Sequence, residues 1–149
     1  MTNLTEKECN TLLADNYIGQ LAYIYNNRPF VVPITYYFDG KNTIISYSAE
    51  GHKTMAMRKI NKVSMQVSDI KNINNWNSIL AHGFFKEITG SDAKKYLHEF
   101  ATRVKDLILR KEEKNLHTIG DFSSKTNTDA LPIVFKITTY ELTGKSRAK

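Results

Sequence analysis

Several features that define whole classes of protein are missing from this sequence. Its 149 residues contain one cysteine, Cys9, so an internal disulfide is excluded and a reducing compartment is the natural setting. No apolar run approaches the roughly 20 residues that a membrane-spanning helix requires. The first residues are polar and lack the apolar core of a signal peptide, so we expect a cytoplasmic protein. Cys9 itself is most simply a small buried apolar residue.

The motifs of hydrolytic and zinc-dependent enzymes are also absent. The sequence has no Gly-x-Ser-x-Gly elbow and no His-Glu-x-x-His pair, and its four histidines are scattered at positions 52, 82, 98 and 117. One cysteine and unpaired histidines do not supply a zinc ligand set. We therefore expect neither a catalytic side chain nor a metal site.

What is present is an ordinary globular composition with a basic balance. The chain is 41% hydrophobic and 24% charged, and 21 Lys and Arg against 15 Asp and Glu give a formal net charge of +6. At this length, one domain over residues 1–149 is the default expectation. The excess charge is compatible with nucleic acid, anionic lipid or a phosphorylated small ligand. Three of the cations lie in residues 145–149, which we expect to be a frayed basic tail.

The hydrophobic periodicity predicts a mainly β protein with flanking helices. Thr5 and Glu8 form the pattern of a capping box, which predicts a short helix within about residues 1–15. A second helix is predicted from about His52 to Ile60, and a long amphipathic helix over about 91–115. Alternation and turn signals predict six strands, over about 17–25, 30–38, 43–48, 62–68, 75–89 and 131–142. Their hairpin connections favour a closed or nearly closed antiparallel barrel.

A polar stretch over about residues 118–130 fits neither a helix nor a strand. It contains Gly120, Ser123, Ser124 and Asn127. Loops of this length in a compact domain are usually either functional or poorly ordered.

The turn between the third predicted strand and the second helix is a candidate anion site. It reads Ser48-Ala49-Glu50-Gly51-His52-Lys53-Thr54. Free backbone N–H groups and the positive end of the helix dipole favour an anion at such a turn. Lys53 is either an ordinary exposed lysine or, if a phosphate binds, a direct ligand together with the Thr54 hydroxyl. Both interpretations stay open on the local sequence.

Two further segments could contact a ligand. Pro33 lies inside a predicted strand, so it belongs on an edge or at a bulge, where neighbouring backbone groups can face a ligand. A plain edge strand is the simpler interpretation of this proline alone. Trp76 shares one side of the fifth predicted strand with Ser78, whose hydroxyl could hydrogen-bond a flat heteroaromatic ligand. A single tryptophan, however, is more often part of a core.

Taken in order, these segments resemble the FMN-binding split β-barrel family related to pyridoxamine 5′-phosphate oxidase, in particular its short nitroimidazole-resistance-like branch. The resemblance covers most of the chain and is carried by the segments Ile18–Ala22, Val32–Tyr36, Ser48–Lys53, Trp76–Ile79 with Gly83, and Ile137–Lys145. It implies a six-stranded antiparallel split barrel that forms a homodimer. Two FMN molecules would bind in clefts at the subunit interface, each in contact with both chains.

The resemblance also implies which residues bind the flavin. The strand from Val32 to Thr35 would line the isoalloxazine ring, the turn from Ser48 to Thr54 would hold the phosphate, and Trp76 with Ser78 would approach from the partner. The expected cofactor-binding residues are Val32, Pro33, Ile34, Thr35, Tyr47, Ser48, Gly51, His52, Lys53, Thr54, Trp76 and Ser78. Because the cofactor carries the hydride chemistry, the protein needs no nucleophile or general base of its own.

Two positions depart from the family pattern. His52 stands where members often have an arginine before the phosphate-binding lysine, so a fixed charge is missing or becomes pH-dependent. Tyr47 stands where the nitroimidazole-resistance branch often has a histidine, which argues against nitroimidazole reduction. The chain also lacks the longer C-terminal region of true pyridoxamine phosphate oxidases, so we do not expect oxidation of that vitamer.

The resemblance therefore implies an FMN-dependent oxidoreductase that passes electrons from NADH or NADPH to a small acceptor. The alternative is a flavin- or haem-binding protein of the same fold that has no turnover. A nucleic-acid or membrane partner is not expected, because the cations lack an aromatic-interleaved groove motif and acids are interspersed among them.

Overall fold

The structure is a computed structural model that describes residues 1–112 and 132–148. Its elements, in chain order, are β1 (Thr2–Asn3), α1 (Glu6–Ala14), β2 (Ile18–Tyr25), β3 (Arg28–Phe38), β4 (Thr43–Ser48), α2 (His52–Lys59), β5 (Lys62–Asn72), β6 (Asn75–Ile88), α3 (Gly90–Glu112) and β7 (Ile133–Arg147). The polar stretch at 118–130, residues 113–115 of the expected long helix and residue 131 of the last predicted strand lie outside the described residues.

The seven strands form one antiparallel sheet, in the order β1-β7-β4-β3-β2-β5-β6. β6 also pairs with β7, from Trp76 opposite Arg147 to Ile88 opposite Val134, and this pairing closes β2 to β7 into a ring. The prediction of a six-stranded antiparallel barrel is confirmed. The two-residue strand β1, which the sequence did not predict, adds to the far end of β7.

The barrel interior is filled by alternate residues of the strands and sealed by α1. Leu21, Met65 and Ala81 lie in adjacent register positions on three neighbouring strands, and all three are buried. The Tyr36 hydroxyl donates a 2.7 Å hydrogen bond to the carbonyl of Leu13, which fixes the end of α1 against β3. The period-two pattern therefore identified the buried face of these strands correctly.

The N-terminal helix begins as the sequence predicts. The Glu8 amide donates to Thr5 Oγ1 at 3.1 Å, and the Thr5 amide donates to Glu8 Oε1 at 2.9 Å, so the capping box is complete. Cys9 is buried against the core, as expected for a small apolar residue, and this burial raises the pKa of its thiol.

The long helix α3 lies across the outside of β3 and β4. Its residues Phe100, Val104 and Ile108 form a second buried cluster with Tyr37 and Ile45. None of the helices in residues 1–112 and 132–148 is both long and apolar enough to cross a membrane.

The expectation of a frayed tail is wrong for residues 145–147. Lys145 to Arg147 belong to β7, where they pair with β6, and Lys145 and Ser146 also pair with β1. The Lys145 ammonium donates to Asn3 Oδ1 at 2.6 Å. Backbone pairing with two neighbouring strands holds this basic segment in the sheet although its side chains are polar.

Candidate functional site

The ladder between β3 and β4 is short, and this opens a gap in the barrel wall. β3 pairs with β4 only from Tyr36 to Phe38. Its pairing with β2, in contrast, begins at Arg28. In the described pairings, the segment Val32–Thr35 therefore has a strand partner on one side only. Pro33 lies in this one-sided segment, which is the edge position that its missing N–H predicts.

Beyond the gap, β4 runs into the turn that leads to α2. Ser48 is buried, and its hydroxyl donates to the Ala49 carbonyl at 2.9 Å. Thr54 is also buried, and its hydroxyl accepts a 3.0 Å hydrogen bond from the Gly51 amide. The Thr54 side chain, expected to be a phosphate ligand, is thus engaged in the capping of its own helix. Gly51 and His52 lie at the surface of the turn.

The acidic side chains near this turn are neutralised by one arginine. Arg58 forms ion pairs with Glu50 and with Glu87, the latter at 2.6 Å. The hydrogen bonds from Arg58 hold the pKa of Glu50 below its ordinary value. Lys53 is half-buried and makes no ion pair or hydrogen bond with another residue in the described part of the chain. The ammonium of Lys53 is therefore the positive group at the helix start that remains available to an anion.

His52, the first residue of α2, rests on three aromatic side chains of the β2–β3 hairpin. Its Nδ1 atom is 2.8 Å from the Tyr23 hydroxyl. The rings of Tyr25 and Phe30 meet the imidazole edge-on, with centroid distances of 4.7 and 4.8 Å. This aromatic support of His52 was not predicted from the sequence.

A signal for it was nevertheless present in the turn between β2 and β3. Asn26 and Asn27 both have positive φ angles, 49° and 62°, and form a two-residue hairpin turn. Such a turn fixes the register of the two strands, which places Tyr23 opposite Phe30. Period-two alternation then puts Tyr25 on the same face as Tyr23.

Tyr47 lies under α3. Its ring meets that of Phe100 at a centroid distance of 5.0 Å and an interplanar angle of 88°. Burial against the helix raises the pKa of the Tyr47 hydroxyl. The ring is thus part of the packing between β4 and α3.

Trp76 and Ser78 lie at the start of β6, far from the turn. The Gln66 side-chain amide donates to Ser78 Oγ at 2.8 Å, and the Arg147 guanidinium lies 6.0 Å from the Trp76 ring centroid. Helix α2 contacts β6 through the ion pair between Arg58 and Glu87. Glu87 lies eleven residues further along β6 than Trp76. At about 3.3 Å per residue this is roughly 35 Å of strand.

Apart from Tyr47, the predicted residues therefore fall into two groups within one chain. The segment Val32–Thr35 and the turn Ser48–Thr54 lie on the two sides of the β3–β4 gap. Trp76 and Ser78 form a separate group at the other end of β6. Cavities of 360, 260, 160 and 590 Å³ in the described structure are lined by residues of neither group.

Comparison with known proteins gives a family and a fold. The family model described as pyridoxamine 5′-phosphate oxidase matches residues 5–146. An uncharacterised protein of Rhizobium meliloti is 31% identical over 85 residues, which are 57% of this chain and 56% of that protein. The match thus spans little more than half the length of this curated relative.

Two solved structures share the architecture over the whole chain. A FAD-binding protein from Mesorhizobium loti has a TM-score of 0.75 at 22% identity, covering 99% of this chain and 98% of that one. A FAD- and haem-binding protein from Mycobacterium smegmatis has a TM-score of 0.69 at 13% identity, covering 100% of this chain and 75% of that one. At these identities the likeness establishes the fold alone.

Proposed function

The chain belongs to the pyridoxamine 5′-phosphate oxidase family, and we propose that it is an FMN-dependent oxidoreductase that passes electrons from a reduced nicotinamide to a small acceptor. The observation that carries this proposal is the gap between β3 and β4. It sets a strand segment that has a partner strand on one side only, Val32–Thr35, opposite a helix start whose lysine has no acidic partner among the described residues.

The groups around this gap fit the two chemically different parts of FMN. The Thr35 carbonyl accepts a 2.7 Å hydrogen bond from the Ser46 hydroxyl, and the other backbone groups of Val32–Thr35 that face the gap suit the amide and carbonyl edge of a flat heteroaromatic ring. Lys53 and the α2 start suit a phosphate, since the charge of Lys53 is not neutralised and Glu50 is paired with Arg58. FMN, when bound, supplies the hydride chemistry. The chain's own residues then bind and orient the cofactor and exclude water from it.

We further propose that the protein is a homodimer whose sites are shared between chains. One chain leaves Trp76 and Ser78 remote from the β3–β4 gap, so a second copy would be needed to bring them to a flavin bound there. Apolar side chains on the outer barrel face support such a dimer, because they remain exposed on several strands: Ile18, Val31, Leu80, Phe84 and Tyr140.

The acceptor is not expected to be a nitroimidazole. Tyr47 occupies the position at which that branch of the family often has a histidine, and its ring packs under Phe100 of α3. Turnover would be assayed with small quinones, nitroaromatic compounds and disulfides as acceptors, each with NADH and with NADPH. The rates would identify the class of acceptor and the preferred nicotinamide.

The proposal is tested by the absorbance of the purified protein and by the identity of the cofactor that denaturation releases. We expect a flavin spectrum, FMN in the supernatant by mass spectrometry, and oxidation of NADH or NADPH that depends on an added acceptor. Release of FAD would correct the cofactor. A bound flavin or a haem Soret band without turnover would instead favour the non-catalytic binding protein. A colourless protein that takes up no flavin would refute both.

Sharing of sites between chains predicts complementation between two defective variants. If the site spans the interface, one chain contributes Lys53 to it and the other chain contributes Trp76. Lys53→Ala and Trp76→Ala then each remove the contribution of a different chain. After mixing and subunit exchange, about one quarter of the sites would carry both native residues, so at FMN concentrations too low to fill the sites of either variant alone the mixture should regain flavin binding and turnover. Activity of the mixture equal to the mean of the two variants would show that each site lies within one chain.

A further inference from the structure

Glu50 lies directly before the start of α2. It precedes Gly51, the N-cap residue, which has no side chain to cap the helix. The Gly51 amide donates to Thr54 Oγ1 at 3.0 Å. The backbone N–H groups of residues 52–54, in contrast, have no hydrogen-bond partner within the part of the chain that the structure describes. Unpaired N–H groups of this kind are the donors that a helix start offers to an anion.

The Glu50 carboxylate reaches this helix start and is itself an anion. The Thr54 hydroxyl, in the first turn of α2, lies 3.4 Å from Glu50 Oε2. Carboxylates are favourable beside the first turn of a helix for the same reason as phosphates, because both accept from its N–H groups and both are attracted by the helix dipole. Glu50 therefore competes with any anion that binds at the turn, unless another group holds its carboxylate.

Arg58 holds this carboxylate by both of its oxygens. Its Nη1 donates to Glu50 Oε1, and its Nη2 donates to Glu50 Oε2 at 2.9 Å. The Nε atom of the same guanidinium donates to Glu87 Oε1 at 2.8 Å, which fixes Arg58 to β6. Because its N–H groups are directed to two carboxylates, Arg58 binds the acids of this region and is not itself a ligand for a phosphate.

We propose that Arg58 is a positioning residue for the phosphate site: by holding the Glu50 carboxylate, it leaves the N–H groups at the start of α2 open to the phosphate of the cofactor. The inference rests on the proposed function, because it assumes a cofactor phosphate at the turn that carries Lys53. The side chains of Arg58 and Glu50 are 38% and 57% exposed, and an ion pair with this exposure contributes little to the stability of a fold. Its loss should therefore change cofactor binding much more than unfolding.

The test is a set of FMN dissociation constants at neutral pH and low salt, measured by fluorescence quenching. Arg58→Ala releases Glu50 and should bind FMN roughly 3- to 10-fold more weakly than the native protein, the scale of one charge at a helix start. Adding Glu50→Gln to this variant removes the competing charge. The double variant should therefore return to within about twofold of the native affinity.

Two controls separate competition by Glu50 from other consequences of losing Arg58. Glu87→Gln, added to Arg58→Ala, removes the same charge from the other partner of Arg58 but leaves Glu50 free, so the affinity should stay at the level of Arg58→Ala. Glu50→Gln alone should change the affinity by less than about twofold, because Arg58 already holds that carboxylate in the native protein. Urea denaturation checks that each variant is folded. If Arg58→Ala does not fold, Arg58→Gln replaces it in the same comparison.

The outcomes are distinguishable. Equal losses in Arg58→Ala and in its double variant with Glu50→Gln would show that Arg58 only anchors α2 to β6, and would overturn its role at the phosphate site. Native affinity in Arg58→Ala, or a rescue by Glu87→Gln as large as that by Glu50→Gln, would overturn it too. In each of these cases the native protein still binds FMN, and the proposed function stands. If the native protein binds no FMN, the proposed function fails and this inference fails with it.

Discussion

Replacing Lys53 with alanine is expected to weaken FMN binding by about 1.5 to 3 kcal/mol, the usual scale for a hydrogen bond to a charged group. Lys53 is half-buried at the start of α2, and no carboxylate of the described residues pairs with it. Its charge would therefore be directed to a phosphate and not to a neighbouring acid. Fluorescence quenching of FMN on titration with the apoprotein measures the effect directly.

The matched control for this variant is Lys59→Ala. Lys59 belongs to the same short helix and carries the same charge, but its ammonium lies over the ring of Tyr25. Its removal should change FMN affinity only slightly, and that change should vanish at high salt, where exposed charges are screened. The phosphate assignment is wrong if Lys53→Ala retains native affinity at both low and high salt, or loses no more than Lys59→Ala.

The parts of the fold that the sequence could predict are those set by short-range physics. The capping box of Thr5 and Glu8 needs only three residues of spacing, and it is present in the structure. The alternation over Lys62–Ser68 depends only on the pleat of one strand, and it marks the buried face correctly. In the same way, Pro33 indicated a strand segment with one free side before any partner strand was known.

The parts that could not be predicted depend on residues that are distant in sequence. Thr2 pairs with Ser146, so neither β1 nor the ordered end of β7 is visible in local composition. Nothing in the local sequence shows that Glu50 and Glu87 converge on Arg58, one from a turn and the other from β6. These contacts follow from strand register, which a single sequence specifies only through the closed barrel as a whole.

In the candidate site, too, the features set by local sequence could be predicted and those set by distant residues could not. The turn after β4 was located from the sequence because a glycine between a strand and a helix is a local signal. The support of His52 by Tyr23 was not, because α2 packs on the β2–β3 hairpin only after the barrel has formed. The packing of Tyr47 against Phe100 likewise depends on the path of α3 across the barrel.

The largest effect on stability is expected for Gly83→Ala. Gly83 lies in β6 at the point where its register with β7 shifts. A Cβ atom there would lie 2.6 Å from the Thr138 carbonyl oxygen and 2.7 Å from Cγ2 of the buried Ile137. The first of these atoms belongs to the backbone of the ladder that closes the barrel, so the two strands would have to separate. We expect a loss of about 3 kcal/mol in the free energy of unfolding, the upper range for overpacking a core.

Urea denaturation of the cofactor-free protein measures this loss, and Gly51→Ala is the matched control. A Cβ at Gly51 would meet no atom within 4 Å, and the φ angle of −178° is extended backbone that any residue adopts. The same added methyl group should therefore cost less than about 1 kcal/mol there, from the weaker N-cap. If the two alanine variants lose equal stability, steric exclusion between β6 and β7 does not account for the glycine. A larger loss in Gly83→Ala, with an unchanged dependence of the unfolding free energy on urea, would place the cost in the folded barrel.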